Sequence, residues 1–192
     1  MLRSLLYALT ERLPARYINH DGRPYLERYY LCTLGSRRFY IHRFVDSDPD
    51  GVHDHPFLYS WSLILAGWYW EDRWAKRYRR QWVNKIGPND FHRVVLPDNG
   101  KDVWTLFSHT PREKPWGFMR PTKEGVHGPE YTYVPQSDPE DPAMSQWYLT
   151  APKAVSCAKN AESRLGAMPV AGRIPMPQWK PKRIVALRWV EP

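Results

Sequence analysis

Apolar residues at Leu2, Leu5, Leu6, Leu9 and Leu13 recur at helical spacing, and Pro14 ends the run. This predicts a short amphipathic helix on the outside of the fold. A membrane-surface helix is the weaker alternative, because the stretch is short and contains Glu11. After Pro14 the pattern turns to strands. Residues 25–34 and 37–45 predict a hairpin around Gly35-Ser36, its second arm alternating Phe39, Ile41 and Val45 with Tyr40, His42 and Phe44. Asp46 to Gly51 has turn composition but too few oxygen ligands for a calcium loop. Phe57 to Ala66 is apolar enough for a strand through a barrel wall, and Trp68-Tyr69-Trp70 continues it past Gly67. A hairpin over 73–85, a turn at Gly87-Pro88-Asn89-Asp90 and strands at Val94 to Leu96 and Val103 to Phe107 follow, with Trp116 to Met119 as a closing strand. His20, His109 and His127 fall in turns or loops, where solvent exposure is the expectation.

The remainder differs. Residues 135–145 are proline-rich and acidic, as in a linker, and 146–192 are basic with too few apolar residues for a core. Trp147, Tyr148, Trp179 and Trp189 are the expected anchors if this part wraps the barrel, and Ile184 to Val190 has the pattern of an added edge strand. The chain divides into 1–19, helix and lead-in; 20–134, barrel; and 135–192, linker and basic extension.

Composition supports an all-β class. Nineteen prolines and eleven glycines in 192 residues suit turns and short strands, and ten tryptophans supply core. Cys32 and Cys157 are the only cysteines and lie far apart, so a disulfide-stapled secreted scaffold is not expected. No segment reaches the ~18–20 apolar residues that cross a bilayer. The first residues lack a signal-peptide core and cleavage site, so the expected location is cytoplasmic, without membrane association. A Gly-rich phosphate loop, a G-x-S-x-G elbow and a C-x-x-C pair are all missing from the sequence.

The chemistry concentrates in Gly51-Val52-His53-Asp54-His55-Pro56. Two histidines two apart on extended backbone point to one face, where neutral imidazoles can share a divalent metal. His92, opening a β-branched run, is the candidate third ligand. Asp54 points away by parity. His42 shares a face with aromatics and is better read as a core or ligand-supporting histidine than as a fourth ligand. Arg43 has the opposite parity and reaches a substrate carboxylate only if a bulge turns it inward. Glu27 is left between lining the barrel and facing solvent.

His53, His55, Gly67 and His92, in that order, resemble the cupin superfamily. The wider run from Tyr25 to Tyr30 through Ile41 to Phe44, His53 to Pro56, His92 to Val94 and Trp116 to Phe118 is similar to small cupin-like proteins of phages and bacteria. The resemblance covers about residues 20 to 120. It implies an antiparallel barrel (a double-stranded β-helix, or jelly roll) with a metal held at its mouth. The cupin glutamate is not matched, since its slots hold Tyr59 and Ser60, and Glu71 lies far along the hairpin. A three-histidine set resembles thiol dioxygenases. It implies Fe(II), with Zn, Mn or Ni compatible, and His42, Arg43 and Tyr59 as candidate catalytic or supporting groups.

The expected function is therefore a ferrous dioxygenase-like enzyme acting on a small anionic substrate, with a homodimer compatible. The alternative is a non-redox cupin that binds a sugar, small acid, nucleotide or nucleic acid. The formal net charge of +8 bears on the latter. Basic residues cluster at Arg73, Lys76, Arg77, Arg79, Arg80 and Lys85, among Trp74, Tyr78 and Trp82, and again in the tail at Lys153, Lys159, Arg164, Arg173, Lys180, Lys182, Arg183 and Arg188. Weak, sequence-independent binding to nucleic acid is the most this predicts.

Overall fold

The computed structural model of the chain describes residues 1–20, 23–49, 51–74, 76–98, 101–125, 128–136 and 146–154. His127, Trp179, Trp189, the Ile184 to Val190 run and the tail's basic residues beyond Lys153 lie outside them. Helix α1 (Leu2–Thr10) is followed by strands β1 (Ala15–His20), β2 (Arg23–Leu34), β3 (Arg37–Phe44), β4 (Ser60–Ala66), β5 (Tyr69–Arg73), β6 (Lys76–Arg80), β7 (Val83–Ile86), β8 (Arg93–Val95), β9 (Val103–His109), β10 (Gly117–Gly125) and β11 (Gly128–Pro135). A 3-10 turn, Trp147–Leu149, comes after them. No described helix is long and apolar enough to cross a membrane.

One layer is a six-stranded antiparallel sheet in the order β1-β2-β3-β9-β4-β7. The other is assembled from β6-β5-β8 and β10-β11, joined through His53, whose backbone bridges both His92 and Phe118. Leu26, Phe44 and Ile64 of the first layer pack against Tyr69, Val94 and Leu96 of the second, which places an apolar core between the sheets. The described residues are thus all-β with one short N-terminal helix, two antiparallel layers facing each other across the core.

The chain changes layers at Gly67. Its φ of +88° is open to glycine, and a Cβ there would meet the Asp102 carbonyl oxygen at 3.0 Å. That corner corrects two expectations. Trp68 to Trp70 does not prolong β4, because the turn sends β5 into the opposite sheet. The 73–85 stretch is likewise not one hairpin: β6 pairs with β5, whereas β7 pairs with β4.

Helix α1 lies on the outer side of the large sheet, where Leu6, Tyr29, Ile41 and Trp104 form a second cluster. Residues 146–154 pack back onto the barrel. The Ala15 and Ala154 amides donate to the carbonyls of Pro152 and Leu13, Tyr148 stacks on Tyr30 at 3.8 Å, and Trp147 is buried beside Tyr40 and Phe107.

Candidate metal centre

The segment around His53 is not a regular strand. Its backbone is nevertheless pinned as one: the His53 amide donates to the His92 carbonyl (2.9 Å) and the His92 amide to the His53 carbonyl (2.8 Å). Asp54 supplies the second anchor. Its buried carboxylate accepts from the Gly117 amide (2.8 Å), from Tyr133 (3.3 Å) and from Lys114. Gly117 is required there, because a Cβ would sit 2.2 Å from the Val134 carbonyl oxygen. With Asp54 held outward, His53 and His55 face the same side and meet His92. One nitrogen from each ring lies within 4.8 Å of the other two, and Nε2 of His55 is 2.7 Å from Nε2 of His92.

These donors fit a divalent metal. Burial lowers the basicity of His53 and His55, His55 well below the ordinary histidine range, and the neighbouring imidazoles add to it. Both are neutral at pH 7, the form that ligates. The buried Nδ1 of His53 forms no hydrogen bond of normal geometry, although the Gly51 carbonyl raises the ring's basicity. His92 is oriented from behind: its Nδ1–H donates to Oε1 of Glu71 (2.8 Å), leaving the Nε2 lone pair for the cluster.

Glu71 stands outside the three-histidine cluster, as its place along the hairpin predicts, but sequence reasoning missed that it is the carboxylate behind His92. The β5–β8 ladder pairs Glu71 with Val94, which brings it beside His92 from across the sheet. Burial alone would raise its pKa. The hydrogen bonds from His92, Arg73 and Asn84 outweigh burial and hold it well below the usual carboxylate range. Arg80 adds a 2.7 Å hydrogen bond and Asn84 one of 2.6 Å.

The three histidines share a cavity of about 210 Å³ with Tyr40, His42, Phe44, Phe107 and His109. His42 is buried in that wall, stacked on Phe107 at 4.8 Å, and its Nε2 accepts from Nε of Arg28 (3.1 Å). It makes no hydrogen bond to a metal-site histidine. His109 corrects an expectation: as the last residue of β9 it is buried, stacked on Phe57 at 3.6 Å, with its basicity reduced to about 3 by burial.

Two sequence candidates are not brought to this cavity. Arg43 faces the opposite side of the sheet, because β3 carries no bulge at that point to reverse its parity. Its Nε donates to Asp102 (2.6 Å) and its Nη1 to Glu27 (3.1 Å). Tyr59 precedes β4, is 66% exposed, and meets Thr110 through its backbone. Glu27 does neither of the things considered for it, since it is fully buried under α1.

Two facing antiparallel layers with three converging histidines make a two-layered β fold with a candidate metal centre. Searches of solved structures return similar chains. A cupin 2 conserved barrel domain protein from Rhodopseudomonas palustris is 10% identical, with a TM-score of 0.47 over 57% of this chain and 78% of that one. FeII HppE in complex with substrate is 12% identical (TM-score 0.44, over 52% of this chain and 57% of that one). The DMSP lyase DddQ from Ruegeria pomeroyi DSS-3 is 16% identical (TM-score 0.45, 55% and 60%). This chain therefore spans less than two thirds of HppE and of DddQ. No family model matches the chain, and no curated protein does.

Proposed function

We propose that this protein is a mononuclear metal enzyme of the cupin type, with Fe(II) as its working metal and a small anionic molecule as its substrate. The observation that carries the proposal is the set of three converging imidazoles opening into a cavity with aromatic walls. Three neutral ligands would leave a bound divalent ion its full positive charge and open positions, which suits ferrous oxygenase chemistry on an anion. His53, His55 and His92 would hold the ion, and Glu71 would fix the His92 tautomer. Phe57, Phe107 and Trp147 exclude water from the walls, and His42 and His109 remain neutral in place.

The test is elemental analysis of untagged protein, followed by anaerobic Fe(II) loading and oxygen-consumption assays against small thiols and acids. One iron per chain with substrate-dependent oxygen uptake is expected. Protein that retains no transition metal and gains none on loading ends the proposal. Native zinc with no oxygen uptake points instead to a non-redox cupin.

A further inference from the structure

Three arginines drawn into the fold pair with acids: Arg43 with Glu27 and Asp102, Arg73 and Arg80 with Glu71. Arg28, half-buried in the cavity wall, differs. Strand register sets it opposite His42 on the cavity wall, and its Nε–H is committed to that neutral imidazole. Its guanidinium lies over the Tyr40 ring at 5.8 Å and makes no ion pair among the described residues. A cation held half out of water without a carboxylate is a place where an anionic ligand gains. Arg16, Arg38 and Arg112 line the same cavity, and the single acid among the described lining residues is Asp48. Asp48 is already engaged, accepting the Val94 amide at 2.8 Å.

We infer that the cavity holds an anion-binding subsite in which Arg28, oriented by His42 and flanked by Arg16, Arg38 and Arg112, takes a doubly charged phosphoryl head group of the substrate. With Nε used internally, the outer guanidinium nitrogens are the edge presented to a ligand. A tetrahedral dianion accepts from several forks at once, which one planar carboxylate does less well. The subsite lies close to the metal ligands. Phe107 touches His42 at 4.8 Å and His55 at 6.2 Å between ring centres, so one ring separates the two ends along this wall. A substrate a few atoms long would therefore reach from the guanidinium to the three histidines. The placement of its reacting end rests on the metal-enzyme reading above; the anion subsite does not.

The experiment is calorimetry on the full chain stripped of metal, titrated with inorganic phosphate and, separately, with succinate at matched ionic strength. Expected is one phosphate per chain, weakened about tenfold or more in Arg28→Gln, with Arg28→Lys in between because it keeps charge but loses the fork. Should Arg28→Gln fail to fold by circular dichroism, Arg28→Lys and Arg112→Gln carry the test, each weakening phosphate. Absence of phosphate binding by wild type overturns the inference, as does tighter binding of succinate or unchanged binding by the variants. Zinc uptake, measured on the same samples, separates the two readings. Phosphate binding in protein that takes no metal upholds this subsite and ends the metal-enzyme proposal.

Discussion

His42 and Arg43 are neighbours in β3, yet they belong to different kinds of interior. On the α1 side, Arg43, Glu27, Asp102, Arg3, Tyr7 and Tyr29 form a closed network: every carboxylate there is met by a guanidinium, a hydroxyl or an indole. On the cavity side, the same two strands present His42 and Arg28, and four histidines have basicity lowered by burial. Paired buried charge fastens a helix to a sheet. Buried bases that face a void without such pairing are poised for a ligand.

The largest effect should follow from the cavity side. Replacing His92 by Ala removes one of three proposed ligands and the group that Glu71 orients. Metal stoichiometry, read by elemental analysis, should fall from one per chain to near zero while the circular dichroism spectrum is retained. On the α1 side the pattern should invert. Arg43→Met leaves Glu27 buried without its cation, and should cost about 3–5 kcal/mol in denaturant unfolding with metal content unchanged. Adding Glu27→Gln to it should recover part of that loss. A loss of metal in Arg43→Met without a loss of stability would erase the distinction between the faces.

The third effect is smaller and tests the layer behind the ligands. Glu71→Gln keeps the shape but gives up the anionic acceptor for His92 Nδ1–H. Metal affinity should drop about 10- to 100-fold by competition against a chelator.

How far the sequence exposed these two faces differs residue by residue. Parity alone placed His53 and His55 together and Asp54 apart, because extended backbone alternates even where no full ladder forms. Gly35-Ser36 located the β2–β3 hairpin for a similar local reason. Parity could not say which face Glu27 takes, since β2 is covered on both faces and no surface there is simply solvent. Glu71 was measured along its own hairpin, whereas it reaches His92 across the β5–β8 ladder. His109 stands before Thr110-Pro111 and resembles loop, although it ends a core strand. Long-range strand pairing, invisible in a one-dimensional pattern, accounts for each of these.

Acidity should separate the faces again. His109 is held down to about 3, first by burial, while the Thr110 carbonyl opposes and Arg28, Arg38 and Arg112 add to the lowering. An unfolded histidine titrates near 6.5. Below that pH the unfolded chain takes up a proton that the folded chain refuses, so stability is complete above about 6.5 and falls with acid down to about 3. The loss is up to about 1.4 kcal/mol per pH unit for such a histidine. Between pH 7 and 5, above most carboxylate titration, Tm should fall in wild type and in Arg43→Met alike. It should fall less in His109→Gln. An equal slope in His109→Gln would remove His109 from the account.

The smallest effect concerns the basic strand β6, and here the structure divides residues that look alike in sequence. Arg77 makes two hydrogen bonds to Asp72 (2.5 and 2.8 Å), and Arg80 and Arg73 neutralise Glu71. Those three are spent inside the molecule, and Arg80→Ala should weaken metal binding through Glu71 and His92. Lys76, Arg79 and Lys85 are exposed, with Arg79 over Trp68 at 4.4 Å. Of the six cations between Arg73 and Lys85, these three are the ones left to meet the phosphates of a nucleic acid. Each cation removed from a phosphate should flatten the slope of log affinity against log salt by roughly 0.7 for single-stranded DNA. Replacing Lys76, Arg79 and Lys85 together by Ala should therefore flatten that slope and leave metal content at the wild-type value. If wild type shows no salt-sensitive binding at low ionic strength, the three are ordinary solvated cations, and Lys76 and Arg79 only keep β6 from pairing with another sheet.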